Sequence, residues 1–268
     1  MDLIQAAILG IIEGITEFLP ISSTGHLILA SNLMHIAQTE FVKTFEIAIQ
    51  SGAILSVIIL YSGKMRKDFE LGKRVLVAFI PTAVIGFILY KMIKHYLIGN
   101  PNVVLLSLLV CGVALIGVEL LFKAKSARKI KNSKLEIENS RANKITYENA
   151  LVIGLFQSIA VIPGVSRSAS TIVGGMLLGL DRKTATEFSF LLAVPTMLAA
   201  TALDLKETSI NFTQNEWMVL LVGFCVSFIV AYFAIKWLVE YVKTNNFIPF
   251  GLYRIILSIV YFLLVFPR

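Results

Sequence analysis

EGITEFLPISSTGHLI, residues 13–28, decides the fold. Inside an otherwise apolar N-terminal segment it places Glu13, Glu17, the hydroxyl run Ser22-Ser23-Thr24, His26, Pro20 and two glycines. Such groups are costly in lipid and mark function when they occur at membrane depth. A second copy follows 144 positions later: Gly10, Glu13, Ile15, Ser22, Thr24 and Ile28 correspond to Gly154, Gln157, Ile159, Ser166, Ser168 and Ile172. That copy, residues 157–172, reads QSIAVIPGVSRSASTI. Two polar islands related by one offset predict a single phosphate site built from two halves.

The surrounding composition places both islands in a membrane. The chain is 57% hydrophobic and 15% charged, with a mean hydropathy of +0.81. A soluble domain cannot hide that much apolar surface, so a polytopic membrane protein is predicted. The N-terminus carries Asp2 and Gln5 and no basic run, so it does not read as a signal peptide. The formal charge of +7 is not a nucleic-acid footprint, and no nucleic-acid partner is expected. Of 24 Lys and Arg, thirteen fall in residues 64–74 and 123–144, which is how cytoplasmic loops are charged. Cys111 and Cys225 lie in separate apolar stretches and suggest neither a disulfide nor a metal site.

Pro20 and the Ser22–Gly25 run split residues 1–34 into two short helices. This predicts a re-entrant hairpin whose turn is buried in protein or lines a wet cavity. Ser22 or Ser23 suits the N-cap of its second half. Spans are predicted near 41–61, 75–97, 102–122, 184–204, 217–241 and 248–267. A basic loop, 123–146, precedes a second interrupted segment, 147–180, broken at Pro163-Gly164 with Ser166 opening its second half. Loops 62–74 and 123–146 are expected in the cytoplasm. The connections at 98–101 and 205–216 and both termini are then outside. The expected fold is one all-α integral membrane domain, 1–268, with about six transmembrane helices plus two re-entrant helical hairpins. They form an inverted repeat of 1–122 and 147–268, with the hairpin tips near the midplane.

Helix N-termini offer unpaired N–H groups and partial positive charge, so two Gly- and Ser-rich turns leading into helices are ready anion sites. Ser22 and Thr24 in the first turn, and Gly164, Ser166, Ser168 and Thr171 in the second, are candidates for binding phosphate. Arg167 adds a planar, permanently charged fork suited to phosphate oxygens. Glu13 and Glu17, spaced i and i+4, share a helix face. They can ligate Mg²⁺ or Ca²⁺ together with phosphate oxygens, Glu17 can act as a base toward Ser23 or a water, or the pair can bridge to Arg167. Ser23 or His26 is the candidate nucleophile, one helical turn apart. Gln50 and Ser51 are expected cavity liners. Glu46, Glu187 and Asp204 are placed near span ends, Arg254 near the cytoplasmic end of the last span as an interfacial anchor, and His35 and His95 at interfaces.

Glu13-x-x-x-Glu17 followed by FLPISSTGH (Phe18–His26), and PGVSRSAST (Pro163–Thr171), resemble the two signatures of the bacterial undecaprenyl-diphosphate phosphatase family linked to bacitracin resistance. The resemblance covers essentially the whole chain. It implies hydrolysis of undecaprenyl diphosphate to the monophosphate carrier of peptidoglycan synthesis, at the outer face of the bacterial cytoplasmic membrane. By motif it makes Glu13 and Glu17 essential acids, Ser23 the nucleophile (with His26 as rival) and Arg167 with Ser166, Ser168 and Thr171 the diphosphate grip. A divalent cation and a polyprenyl diphosphate substrate are implied as well. The other reading is a lipid-phosphate flippase using the same midplane site, since inverted repeats of broken helices are the usual build of transporters. The oligomeric state is left open, a homodimer included.

Overall fold

The structure, a computed structural model, describes residues 1–92, 97, 101–131, 145–207 and 212–265. These form ten α-helices and one short 3₁₀ turn, and no strand occurs among the described residues. In chain order the helices are α1 (Leu3–Thr16), α2 (Ser23–Leu33), α3 (Glu40–Lys67), α4 (Phe69–Met92), α5 (Pro101–Lys131), α6 (Tyr147–Ser158), α7 (Arg167–Leu177), α8 (Arg182–Glu207), α9 (Gln214–Thr244) and α10 (Ile248–Val265). The 3₁₀ turn, Ile159–Val161, follows α6.

Both interrupted segments break where expected. α1 and α2 are separated by residues 17–22, and α6 and α7 by residues 159–166. Ser22 caps α2 by accepting the Gly25 N–H, and Ser166 caps α7 by accepting the Ala169 N–H. Five helices are long and apolar enough to cross a membrane: α3, α4, α5, α8 and α9. This is an all-α polytopic membrane protein. The sixth expected span, 248–267, is α10, 18 residues long over its described part.

Several boundaries differ from the expectation. No loop spans 62–74: α3 runs to Lys67, α4 begins at Phe69, and Asp68 alone separates them. Its carboxylate accepts the Leu71 N–H at 2.9 Å and so starts the next helix at once. Lys and Arg are good helix formers, and beyond the apolar layer they have no reason to end a helix. For the same reason α5 continues to Lys131, well into the expected 123–146 loop. Residues 132–144 of that loop, 98–100 and 208–211 of the expected outer connections, His95 and the Asp204 side chain lie outside the described residues.

Packing exchanges the halves. α1 lies along α9, and α6 lies along α4. Gly10 on α1 and its counterpart Gly154 on α6 make these crossings close. A Cβ on Gly10 would stand 2.8 Å from the Gly223 carbonyl of α9, and one on Gly154 would collide with the Ala78 carbonyl of α4. Side-chain hydrogen bonds also join neighbouring helices. Ser227 on α9 donates to the Ile49 carbonyl of α3 at 2.7 Å, and Thr82 on α4 donates to the Gly154 carbonyl at 3.1 Å. In a bilayer, where helix association lacks a hydrophobic drive, small residues and interhelical hydrogen bonds supply the contact. The crossings hold the two short helix pairs inside the bundle.

Gly154→Leu is expected to force α6 off α4 and to cost on the order of 1–3 kcal/mol through overpacking. Thermal unfolding in detergent should show a lowered midpoint. Gly86→Ala, where a Cβ meets nothing within 4 Å, should match or exceed the unmodified chain.

Candidate active site

The two turns face one pocket of about 170 Å³. The first turn contributes Glu17, Ser22, Ser23 and Thr24, the second Pro163, Gly164, Ser166 and Arg167. Gln50 of α3 and Thr196 and Met197 of α8 complete the wall. Gln50 is therefore a liner as expected. Ser51 is not in this pocket: it donates to the Ile47 carbonyl at 2.9 Å and lines a neighbouring apolar pocket.

Three side chains form a relay at the pocket wall. Ser23 Oγ donates to Glu17 Oε2 at 2.6 Å. Arg167 Nη2 donates to the other oxygen, Glu17 Oε1, at 3.2 Å. Arg167 is fixed in turn by donating through Nη1 to the Ser189 carbonyl of α8 at 2.8 Å. Its Nε is buried without a partner among the described residues. The guanidinium thus spans three elements and keeps donor capacity in reserve.

Glu13 lies one turn below Glu17 and is fully buried. Among the described residues, neither of its carboxylate oxygens has a hydrogen-bond donor. The charges acting on it are Glu17, Glu46 and Arg167. In its counterpart in the second copy, Gln157, the Nε2 donates to Thr82 Oγ1 at 2.9 Å and to Thr196 Oγ1 at 3.0 Å, while the buried Oε1 has no partner among the described residues. A buried carboxylate with two empty acceptor oxygens is poorly solvated, and that is the donor chemistry a hard cation requires. Among the described residues no group of three His, Cys, Asp or Glu converges.

The turns are tied to each other. Ser168, at the start of α7, donates to the Leu19 carbonyl of the first turn at 2.8 Å and bonds to Ser166 Oγ at 2.9 Å. Thr171 Oγ1 donates to Ser189 Oγ at 2.6 Å and does not line the pocket. Both residues hold the second turn from behind. Ser22 sits at φ +73°, where a residue with a Cβ rarely rests. Such strain collects at functional sites when the surroundings enforce it. Gly164, two residues before the Ser166 cap of the second turn, takes φ +90° without that cost.

His26 points elsewhere. Its Nδ1 donates to the Ser22 carbonyl at 2.7 Å, because a carbonyl can only accept. In the neutral ring that leaves Nε2 as acceptor for the Tyr253 hydroxyl, also at 2.7 Å. The rings of His26 and Tyr253 stack 5.5 Å apart. Although His26 follows Ser23 by one turn, no hydrogen bond joins them among the described residues, and His26 does not line the pocket.

Arg254 corrects the sequence expectation. Expected as an interfacial anchor, it is fully buried in α10 and reaches backbone carbonyls of both turns. A lone charge inside the apolar run GLYRIILS was the available signal. Glu187 behaves as expected of a residue at a span end, pairing with Lys64 and, at 3.8 Å, with Lys183. Thr196 and Ser189 carried no local signal; they reach the site only because α8 packs against α7.

Fold and pocket together define a class: a polytopic membrane protein with a buried polar pocket at two paired helix N-termini. The chain matches the family model described as bacitracin resistance protein BacA over residues 6–260, and it belongs to that family. It is 53% identical over 263 residues to an undecaprenyl-diphosphatase of Sulfurihydrogenibium sp., covering 98% of this chain and 99% of the relative. It is 51% identical to undecaprenyl-diphosphatases of Aquifex aeolicus, covering 96% of both chains, and of Persephonella marina, covering 99% of this chain and 100% of the relative.

Arg167→Met leaves Glu17 charged and buried without its cation and is expected to cost about 3–5 kcal/mol, the usual range for breaking such a pair. The double variant Arg167→Met, Glu17→Gln should recover part of that loss in a detergent unfolding cycle. Additive losses would show the pair to be uncoupled.

Proposed function

We propose that this chain hydrolyses undecaprenyl diphosphate to undecaprenyl phosphate and inorganic phosphate, returning the lipid carrier to cell-wall synthesis. Family membership and the activity named for its relatives support the reaction. The observation that carries the residue assignment is the Ser23–Glu17–Arg167 relay at the pocket wall. A nucleophile bonded to a base, which a third group orients, is the arrangement that activates a hydroxyl.

The diphosphate head lies in the pocket against the N-termini of α2 and α7, with Arg167 on its oxygens. Ser22, Thr24, Gly164 and Ser166 line the same space and bind phosphate through their N–H and hydroxyl groups. Ser23 Oγ attacks the terminal phosphorus as its proton passes to Glu17. The anhydride P–O bond breaks and undecaprenyl phosphate leaves, taking the proton from Glu17. Glu17 then accepts a proton from water as the water oxygen attacks the phosphoseryl phosphorus; the P–Oγ bond breaks, Glu17 returns the proton to Ser23 Oγ, and inorganic phosphate is released. Positioning and charge stabilisation do most of this work in phosphoryl transfer. His26, with Nε2 engaged by Tyr253, orients the Ser22 carbonyl rather than attacking.

Glu13, with two buried acceptor oxygens lacking donors, and Glu17 would hold a divalent cation, Mg²⁺ or Ca²⁺. When bound, it neutralises charge on the phosphate oxygens.

Orientation follows from where the basic residues sit. Lys64, Arg66 and Lys67 end α3, and Arg182 and Lys183 begin α8. Gln50, in the pocket wall, stands 14 residues before Lys64 on α3, or about 21 Å at 1.5 Å per residue. The pocket is thus displaced from the basic, cytoplasmic end. This supports a site open to the outer face, with both termini outside. The exchange of α1 and α6 between halves supports the inverted repeat of 1–122 and 147–268. The apolar pocket of about 330 Å³ between α3, α8 and α9 is the place for the prenyl chain. It is lined by Ala48, Ser51 and Thr201, next to Gln50 and Ala200 of the phosphate pocket.

Detergent-purified protein should release phosphate from undecaprenyl diphosphate, and a chelator should stop release until Mg²⁺ or Ca²⁺ returns. Arg167→Ala and Ser23→Ala should each lower kcat by about 10²–10³ or more, while His26→Ala retains measurable turnover. No release from folded protein with either metal would overturn the enzyme reading in favour of a flippase, which needs a second compartment to act.

Ala48→Trp should raise KM for undecaprenyl diphosphate and leave KM for a short, soluble prenyl diphosphate unchanged. Equal effects on both substrates would remove the chain from this pocket.

A further inference from the structure

Arg254 is 0% exposed, and among the described residues no carboxylate pairs with it. Its four acceptors are all main-chain carbonyls. Nε donates to Leu108 at 3.4 Å and Nη2 to Ser107 at 3.3 Å, both on α5. Nη1 donates to Pro20 at 3.3 Å, and Nη2 also donates to Gly164 at 2.9 Å. Pro20 and Gly164 are equivalent under the offset that relates the two polar islands. Each stands two residues before the serine, Ser22 or Ser166, that caps the following helix. One guanidinium therefore bridges the same carbonyl of both turns and anchors them to α5.

The depth of Arg254 is set by a close crossing of α10 on α5. A Cβ on Gly251 would stand 2.7 Å from Ile116 Cγ1 and 2.8 Å from the Gly112 carbonyl. The second turn rests on the same stretch of α5, for a Cβ on Gly164 would stand 2.8 Å from the Val104 carbonyl. Sequence alone carries only the unusual position of the charge, inside an apolar run.

We propose that Arg254 is a positioning residue for the hydrolysis, fixing the separation of the two helix N-termini that face the phosphate pocket. The proposal rests on the reading that both turns hold the diphosphate. Ordinary structural arginines pair with acids, and this one spends every described bond on carbonyls at the two backbone breaks and on α5. Its donors radiate from one rigid plane, so the bonds hold the turns at fixed mutual positions. Lysine has a point charge on a flexible stem and cannot reproduce that geometry. Displacing catalytic groups by about 1 Å costs on the order of a hundredfold in rate. The loss should therefore fall on kcat, since binding of the prenyl chain and most of the head is left intact.

The test compares Arg254→Lys, Gly251→Ala and Ser258→Ala with the unmodified chain, reading kcat, KM and the thermal midpoint in detergent. Arg254→Lys should lower kcat about tenfold or more with KM changed by less than about threefold. Gly251→Ala keeps the arginine but displaces it, and should lower kcat by a smaller factor. Ser258, on the same helix, donates only to the Leu105 carbonyl of α5 at 3.0 Å and reaches neither turn. Ser258→Ala should stay within about twofold of the unmodified kcat. A kcat in Arg254→Lys within about threefold of the unmodified chain would overturn the proposal. So would losses of activity that follow the thermal midpoint alike in all three variants. If Arg254→Lys does not fold, full turnover in Gly251→Ala is the overturning result. Arg167→Ala in the same assay separates the two readings: unchanged turnover there would dismiss the diphosphate site itself, whatever Arg254 does.

Discussion

A helix broken inside an apolar layer exposes carbonyls that neither water nor lipid can satisfy, and every one must find a donor within the protein. This chain breaks its backbone twice at that depth. Ser168 supplies the Leu19 carbonyl, and Arg254 supplies Pro20 and Gly164. These donors come from α7 and α10, remote in sequence from the first turn. Satisfying the backbone therefore forces the two halves together, and the same step brings two helix N-termini to one pocket. The fold and the pocket share a single physical cause.

The two copies have diverged along the line that phosphoryl transfer needs. The first keeps Glu13, Glu17 and Ser23, a source of negative charge, a base and a hydroxyl. The second has Gln157 at the position matching Glu13, donating through Nε2 to Thr82 and Thr196, and contributes Arg167 instead. A carboxylate pair alone would be costly to bury, and an arginine alone would be equally so. In contact at 3.2 Å, Glu17 and Arg167 compensate each other, while among the described residues both Glu13 oxygens and the Arg167 Nε have no hydrogen-bond partner.

Much of this is legible in the residues. The apolar content gives the membrane class. The breaks at Pro20 and at Pro163-Gly164 mark both short helix pairs, and the serines that follow them are the N-caps found. The motif residues Glu17, Ser23 and Arg167 do meet in one place. Local patterns carry these features because helix periodicity, capping and breaking act over a few residues. The ends of the long helices are less legible. Lys64 to Lys67 look like a loop by charge, yet they continue α3, since charge outside the apolar layer favours solvent without disfavouring helix.

What the sequence determined by itself is the class, the two broken segments and the chemical inventory of the site. Tertiary structure alone decided which members of that inventory touch. Ser23 and His26 are one turn apart and look equally able to serve, but α10 brings Tyr253 to His26, and α7 and α8 hold Arg167 on the carboxylate that Ser23 donates to. Arg254 looks like an anchor until α5 and α10 cross at Gly112 and Gly251 and carry it between the turns. The reason is one of range. Capping and periodicity are set by neighbours in the chain, whereas the partners of groups such as Arg254 and Gln157 are set by helices remote in sequence, whose crossing fixes what each donor can reach.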